Sequence, residues 1–291
     1  MGIRVVTDSS CDLPSALVEA LGIEIVPLTI RFGDEEFVDQ VDLTIDEFWS
    51  RIEQSPTLPE TAAPSPGAFE AKFRDLMNRG ATGIVCINLS SHLSGTMQSA
   101  QVASAAVAAD GPVQVIDSQS ASMGLGNLCL TAARRAADGD SLESIVAEVT
   151  NRRERTRLFA TLDTLEHLKK GGRVGNARAL LGTMLSIKPL IEVRDGVVEE
   201  AGKVRTRSKA LKLLASKAAE GKVEHLSVLH GNAHDVDELL DLLDPIFPRD
   251  EIITGRVGPV IGTHAGPRVI GVTFQVVTGQ VGPGPGASGA D

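Results

Sequence analysis

The chain has 291 residues, 42% hydrophobic and 23% charged, with a formal net charge of -10. This is the balance of an ordinary globular protein, long enough for two domains or one large one. Net acidity, with 3% aromatic residues and no tyrosine, argues against a nucleic-acid surface, which needs cationic charge and stacking rings.

In chain order, Ile3–Thr7 reads as a first strand, and Asp12 as a cap for a helix over 13–21 that stops at Gly22. Ile23–Phe32 is strand-like, and Gly33-Asp34 is a turn signal. Thr44-Ile-Asp-Glu47 is a capping box that opens a helix through Phe48, Trp49 and Ile52. The stretch from Ser55 to Pro64 reads as irregular, and Ser65-Pro66 starts the next helix with proline at its first position. The apolar run Gly83–Asn88 then leads into Leu89-Ser-Ser-His-Leu-Ser-Gly-Thr96 and a helix-compatible, alanine-rich run. Val113–Ile116 is another strand, followed by a helix after Ser120. Strand–helix alternation at this spacing predicts a doubly wound, mostly parallel sheet.

The second half has a different texture. A helix over Ser141–Arg153 precedes an apolar run at Arg157–Leu162, a short helix at Thr164–Lys170 and a helical stretch at 176–185. Asp195-Gly196 turns a hairpin between Ile187–Val193 and Val197–Val204. Two strands over 252–257 and 269–277 flank a Gly/Pro-rich loop that holds His264. The expected division is an N-terminal α/β domain over 1–157, a C-terminal α/β domain with a mixed sheet over 158–277, and a disordered tail over 278–291. Three scattered cysteines (Cys11, Cys86, Cys129) read as reduced thiols of a cytoplasmic protein. No apolar run reaches membrane-spanning length, and the N-terminus lacks a signal-peptide layout.

The hydroxyl-rich turn around Ser90, Ser91, Ser94 and Thr96 lies where a parallel sheet presents its ligands, beside the free N–H groups of a helix start. It suits an anionic head group. Thr7-Asp-Ser-Ser10 occupies the equivalent end of the first strand, as a ligand contact or as plain turn chemistry. Ser94 lacks the G-x-S-x-G nucleophile-elbow context, and a hydrolase would need His92 or His264 as base. Gly124-Leu-Gly126 misses the third glycine of a dinucleotide fingerprint and reads as close helix packing. Gly171-Gly172-Arg173 is either a helix C-cap or an anion contact. Lys203, Arg205 and Arg207 alternate, so one strand face would carry all three. Gly231 and Asn232 between His230 and His234 argue against a helical zinc pair. Cys11, near a helix start, is a candidate for a lowered pKa.

Taken together, Thr7-Asp-Ser-Ser10, Thr61-Ala-Ala-Pro-Ser65, Leu89–Thr96, Asp117-Ser118 with Ser122–Gly126, Leu165–Arg173, Ile187-Lys-Pro-Leu190 and Gly258–Pro267 occur in the order seen in the DegV family of bacterial fatty-acid-binding proteins, which the chain resembles over residues 3–277. The resemblance implies two α/β domains with a long acyl chain, such as palmitate or oleate, buried between them. It implies Thr61 and Ser94 as carboxylate ligands. Arg173, Arg205 and His264, with Ser9 and Gly95, match positions near the head group or a docking partner. It further implies no cofactor and no catalytic residue in this chain, and a role in lipid transport or fatty-acid metabolism. Some relatives present the fatty acid to a separate fatty acid kinase. The runner-up reading is an enzyme acting on a small acyl or phosphorylated substrate. Two departures stand out: Ala62 where relatives often carry serine, and Arg268 where they often carry glycine.

Overall fold

Val5, Val6, Ile84, Val85, Cys86 and Ile87 are all buried, as strands covered on both faces must be. The computed structural model describes residues 2–55, 57–180 and 187–277. The chain runs β1 (Ile3–Asp8), α1 (Ser15–Leu21), β2 (Glu24–Val26), β3 (Thr29–Phe32), β4 (Glu35–Val38), α2 (Ile45–Gln54), β5 (Glu60–Ala62), α3 (Pro66–Asn78), β6 (Gly83–Asn88), α4 (Thr96–Ala106), β7 (Val113–Asp117), α5 (Ser122–Ala137) and α6 (Leu142–Arg155). It continues through β8 (Thr156–Thr161), α7 (Glu166–Lys170), β9 (Lys188–Arg194), β10 (Val197–Val204), α8 (Arg207–Ala218), β11 (Val223–His230), α9 (Val236–Leu243), β12 (Ile253–Arg256), α10 (Pro259–Ala265) and β13 (Ile270–Val276).

The first sheet has the order β2-β1-β6-β7 and is wholly parallel. The second, β10-β9-β8-β13-β11-β12, is mixed. Its β9–β10 hairpin turns at Asp195-Gly196, both left-handed (φ 49° and 81°), as an Asp-Gly turn favours. Helix α5 is buried at every residue from Ser122 to Ala133. Its glycines answer to close approach. A Cβ on Gly124 would lie 2.1 Å from Ser120 Oγ, and one on Gly126 2.8 Å from the Cys11 carbonyl oxygen. One continuous core joins Val85, Ile87 and Leu125 of the first half to Leu158, Ile191 and Leu229 of the second. A second core packs Phe159 and Phe274 against Leu211 and Leu239 of α8 and α9.

Several expectations change. Ile23–Phe32 is two strands rather than one: β2 stays in the parallel sheet, Pro27 follows it, and β3 joins a separate antiparallel sheet, β4-β3-β5. The stretch from Ser55 to Pro64, expected to be irregular, supplies β5 by pairing Thr61 with Ile30. Asp12 does not cap α1, which has no side-chain cap; it sits at φ 52° and bonds elsewhere. His264 lies on a helix, α10, with Pro259 at its start. Lys203, Arg205 and Arg207 do not share one strand face: β10 ends at Val204, so only Lys203 lies on the strand, and Arg207 opens α8, paired to Asp235. The 176–185 helix begins as a 3-10 turn over Gly175–Leu180; its remainder, like the tail over 278–291, lies outside the described residues. Cys11 is buried, and burial pushes its thiol well above the usual range rather than below it. No described helix is long and apolar enough to cross a membrane.

The hairpin tip fastens the second half to the first. Ser90 Oγ donates to the Gly196 carbonyl at 2.7 Å, and a Cβ on Gly196 would lie 2.5 Å from that Oγ. Gly196→Ala combines left-handed strain with loss of this bond, so unfolding free energy drops by about 2–3 kcal/mol. Urea denaturation measures it; an unchanged midpoint would show that the hairpin tip does not hold the halves together.

Candidate functional site

Strand alternation aims Leu158 and Ala160 of β8, Ile191 and Val193 of β9 and Val198 of β10 to one face, where they line a cavity. Their neighbour Phe159 faces the helices instead. Leu28, Leu89, Leu93 and Ala121 close the cavity from the first half, and Val260 and Ile261 of α10 form a side wall. The empty space is about 940 Å³, its open mouth included, at the upper end of the ~300–1,000 Å³ seen for small-molecule pockets.

Polar groups gather at one end. Thr61, Ser94, Gly95, Arg173 and His264 line the cavity there. Thr61, Arg173 and His264 also border an outer depression formed with Ser55, Thr57, Glu60, His167, Lys170 and Gly171. They therefore form the boundary between an apolar interior and a polar vestibule. The antiparallel β3–β5 pairing holds Thr61. Ser94 precedes α4, its Oγ 2.9 Å from Thr96 Oγ1 and accepting the Thr96 N–H at 3.3 Å. Arg173 donates from Nε to the Leu93 carbonyl (3.1 Å) and from Nη1 to the Gly171 carbonyl (2.6 Å), tying α7 to the Ser94 turn.

His264 Nε2 lies 2.9 Å from Thr61 Oγ1, a contact across 203 residues of chain. Burial, then the charges of Arg173 and His167, pushes the His264 pKa down to about 4, so the ring is neutral near pH 7. Its Nδ1 is buried with no hydrogen-bond partner. The tautomer that donates from Nε2 leaves the Thr61 hydroxyl hydrogen free to meet an acceptor in the cavity. Gly171 makes room for the ring, since a Cβ there would lie 2.3 Å from His264 Nδ1. The left-handed C-cap role of the Gly-Gly pair falls to Gly172 alone, at φ 73°.

The other named positions separate from this cluster. Of the hydroxyls in the turn, Ser90 holds Gly196 and Ser91 bonds Asp117 (2.5 Å); Ser94 alone of that turn's serines lines the cavity. Ser9 is buried and accepts the Leu28 N–H at 3.1 Å, supporting the wall from behind. Arg205 is exposed and borders neither the cavity nor the vestibule. Ala62 is exposed and outside the lining. Arg268 sits at φ 61°, the backbone state in which glycine costs least, and its side chain pairs with Asp163 at 3.5 Å, away from the cavity. Sequence reasoning gives His167 and Lys170 no place in the site; their spacing from Arg173 on a short helix is the available signal. Ser94 Oγ pairs with Thr96 while His264 pairs with Thr61, so among the described residues no Ser94–His264 hydrogen bond exists. Nor does any described group of three or more His, Cys, Asp or Glu gather closely enough to hold a metal ion.

A parallel sheet facing a mixed one, with an apolar cavity between them and hydroxyls, arginine and a neutral histidine at its mouth, defines a two-sheet α/β protein with an enclosed, polar-mouthed cavity. The profile of the DegV family, described as uncharacterised, matches residues 2–276, and the chain belongs to that family. A DegV domain-containing protein of Streptomyces coelicolor is 36% identical over 278 residues, covering 94% of this chain and 98% of that one. Among solved structures, a DegV family protein of Thermus thermophilus described for its fatty-acid binding superposes with a TM-score of 0.87 at 33% identity, covering 95% of this chain and all of that one. DegV of Bacillus subtilis, a fatty acid binding protein, superposes with a TM-score of 0.83 at 30% identity, with 95% and 100% coverage.

Proposed function

We propose that this chain binds one long-chain fatty acid, of the palmitate or oleate kind, with the acyl tail in the cavity and the carboxylate at Thr61 and Ser94. The observation that carries the reading is the single cavity wall that changes from aliphatic side chains to Thr61, Ser94, Arg173 and His264 at its mouth. Burying a chain of about sixteen carbons at ~0.8 kcal/mol per CH2 supplies roughly 12 kcal/mol before association costs. The hydroxyls then orient the head group and add specificity. In the tautomer that donates from Nε2, neutral His264 bonds Thr61 Oγ1 and leaves the hydroxyl hydrogen for the carboxylate.

In this reading the protein is a non-catalytic carrier in lipid transport or fatty-acid metabolism. It divides near residue 157 into two domains and works in the cytoplasm, where its three free thiols stay reduced. It offers its head group to a separate fatty acid kinase that approaches the vestibule, with Arg205 as a docking contact outside it. Mass spectrometry tests the core of the proposal. Native spectra of purified protein are expected to carry an added mass that denaturation releases as a long-chain fatty acid. Protein that holds no lipid and takes up neither palmitate nor oleate would defeat the reading.

A further inference from the structure

Thr7-Asp-Ser-Ser10 reads from sequence as a ligand contact or as plain turn chemistry, and none of the six residues of the segment from Thr7 to Asp12 lines the cavity. The segment's side chains instead hold the elements that do. Asp8, fully buried, accepts hydrogen bonds from Leu89 N (2.9 Å), Asn88 Nδ2 (3.1 Å) and Ser10, which fastens the exit of β6 toward Ser94. Ser9 accepts the N–H of the wall residue Leu28. Asp12 reaches furthest. Its Oδ1 accepts the Gly258 N–H at 2.9 Å, across 246 residues of chain, and its Oδ2 accepts from Ser122 Oγ at 2.5 Å.

Gly258 is the residue from which α10 starts, and α10 carries Val260, Ile261 and His264 into the cavity wall. Ser122 opens α5 and lines the same cavity. We infer that Asp12 is a positioning residue for the lipid site: its carboxyl group locks the start of α10 to the start of α5, and so sets where His264 meets Thr61. The inference rests on the lipid-binding reading for its effect on affinity, though not for its effect on His264.

Three observations support it independently. α10 has only seven residues and no side-chain cap of its own, so its place depends on contacts from outside. Asp12 is itself fixed: it is 4% exposed, and its carbonyl oxygen lies 2.7 Å from where a Cβ on Gly255 would stand. Burial pushes the Asp12 carboxyl up to about 8. A neutral carboxyl still accepts from Gly258 and shares a proton with Ser122 Oγ, which an asparagine amide reproduces in shape and in both hydrogen bonds.

The test compares Asp12→Ala, Asp12→Asn and Gly258→Ala with wild type. The readouts are palmitate affinity, the NMR titration of the His264 ring, and the emission of Trp49, the sole tryptophan, whose Nε1 donates to the Val257 carbonyl at 3.0 Å. Asp12→Ala is expected to weaken palmitate binding at least ~10-fold, through lost orientation of the head-group ligands. It should also raise the His264 pKa toward its ordinary value of about 6.5 and move Trp49 emission to the red. Asp12→Asn stays within about threefold of wild type, with His264 unmoved, because both hydrogen bonds survive. A methyl on Gly258 would meet Asp12 Oδ1 at 3.2 Å without backbone strain. Gly258→Ala therefore pushes the contact apart slightly, weakens palmitate about threefold and moves His264 the same way.

Wild-type affinity and His264 titration in both alanine variants would overturn the inference, as would an asparagine variant as impaired as Asp12→Ala. If Asp12→Ala does not fold, Gly258→Ala decides by the same readouts. If wild type itself binds no palmitate, the lipid reading fails, and the His264 titration and Trp49 emission still decide the role of Asp12.

Discussion

The Thr61→Ala/Ser94→Ala double variant is expected to bind palmitate roughly 30- to 1,000-fold more weakly than wild type while remaining folded. Each hydroxyl that donates to a carboxylate contributes about 1.5–3 kcal/mol. Because Thr61 is also bonded to His264, and Ser94 to Thr96, the two losses are not expected to add fully. A combined loss of about 2–4 kcal/mol corresponds to that range at 1.4 kcal/mol per decade. Both side chains are only half-buried, so their truncation opens no core cavity. Calorimetric titration with palmitate, set beside the thermal midpoint, separates a head-group effect from unfolding. Unchanged affinity would remove both residues from the carboxylate site and leave the apolar wall and Arg173 as the determinants.

The second large effect is a fall in folding stability as pH rises from about 5 to 8. Burial pushes Asp39 up to about 7 and Asp12 up to about 8, and Asp8 moves in the same direction. Asp39 is 1% exposed, and neither of its carboxylate oxygens has a hydrogen-bond partner of good geometry, although Ser9 and Gln40 lie beside it. The folded state therefore holds these protons more tightly than the unfolded chain. The stability they contribute is full below the unfolded carboxyl value of about 4 and is lost as pH climbs through 7 and 8. At 1.36 kcal/mol per unit, each of Asp12 and Asp39 accounts for on the order of 4 kcal/mol across that span.

His264 acts oppositely. Its folded value is depressed to about 4, so its contribution is full above about 6.5 and is lost as pH falls toward 4. Below about pH 6.5 it offsets part of the carboxyl effect, which leaves the steepest decline between about 6.5 and 7. Unfolding free energies from urea titrations at pH 5, 6, 7 and 8 measure the profile, and Asp39→Asn should flatten it. A flat or rising profile in the wild-type chain would mean that these acidic groups are solvated or otherwise neutralised.

Short-range patterns are legible in the residues alone. Near-continuous apolar runs such as Gly83–Asn88 announce strands buried on both faces, and the alternation with helices announces a parallel sheet. Thr44–Glu47 contains its own cap, with the Thr44 N–H donating to Glu47 at 2.9 Å and the Glu47 N–H donating back to Thr44 at 3.2 Å. Asp195-Gly196 dictates its turn because both residues tolerate a left-handed backbone. The same locality explains the misreadings. Pro27 lies within an apolar run that looks continuous, yet the chain changes sheets there. α10 reads as a loop because Gly262 and its β-branched neighbours Val260, Ile261 and Thr263 lower helix propensity, whereas Gly262 is the residue that lets Phe48 and Trp49 pack against the helix: a Cβ on Gly262 would lie 2.5 Å from the Phe48 ring.

The α/β class, the mixed second sheet and, through the ordered set of motifs, the family were therefore written in the chain itself; hydrophobic periodicity and turn chemistry are local and survive without a fold. How those motifs divide their work was settled by tertiary contacts. Ser90 carries the same hydroxyl as Ser94 and Thr61, and Asp12 carries a carboxyl, but hydrogen bonds to distant partners use both to hold the walls. Ser94, Thr61 and His264 meet at the cavity mouth only because β3–β5 pairing, the start of α4 and the seating of α10 converge there. A side chain's chemistry belongs to its residue; whether that chemistry faces a ligand or a neighbouring backbone depends on contacts across 100 to 250 residues of chain.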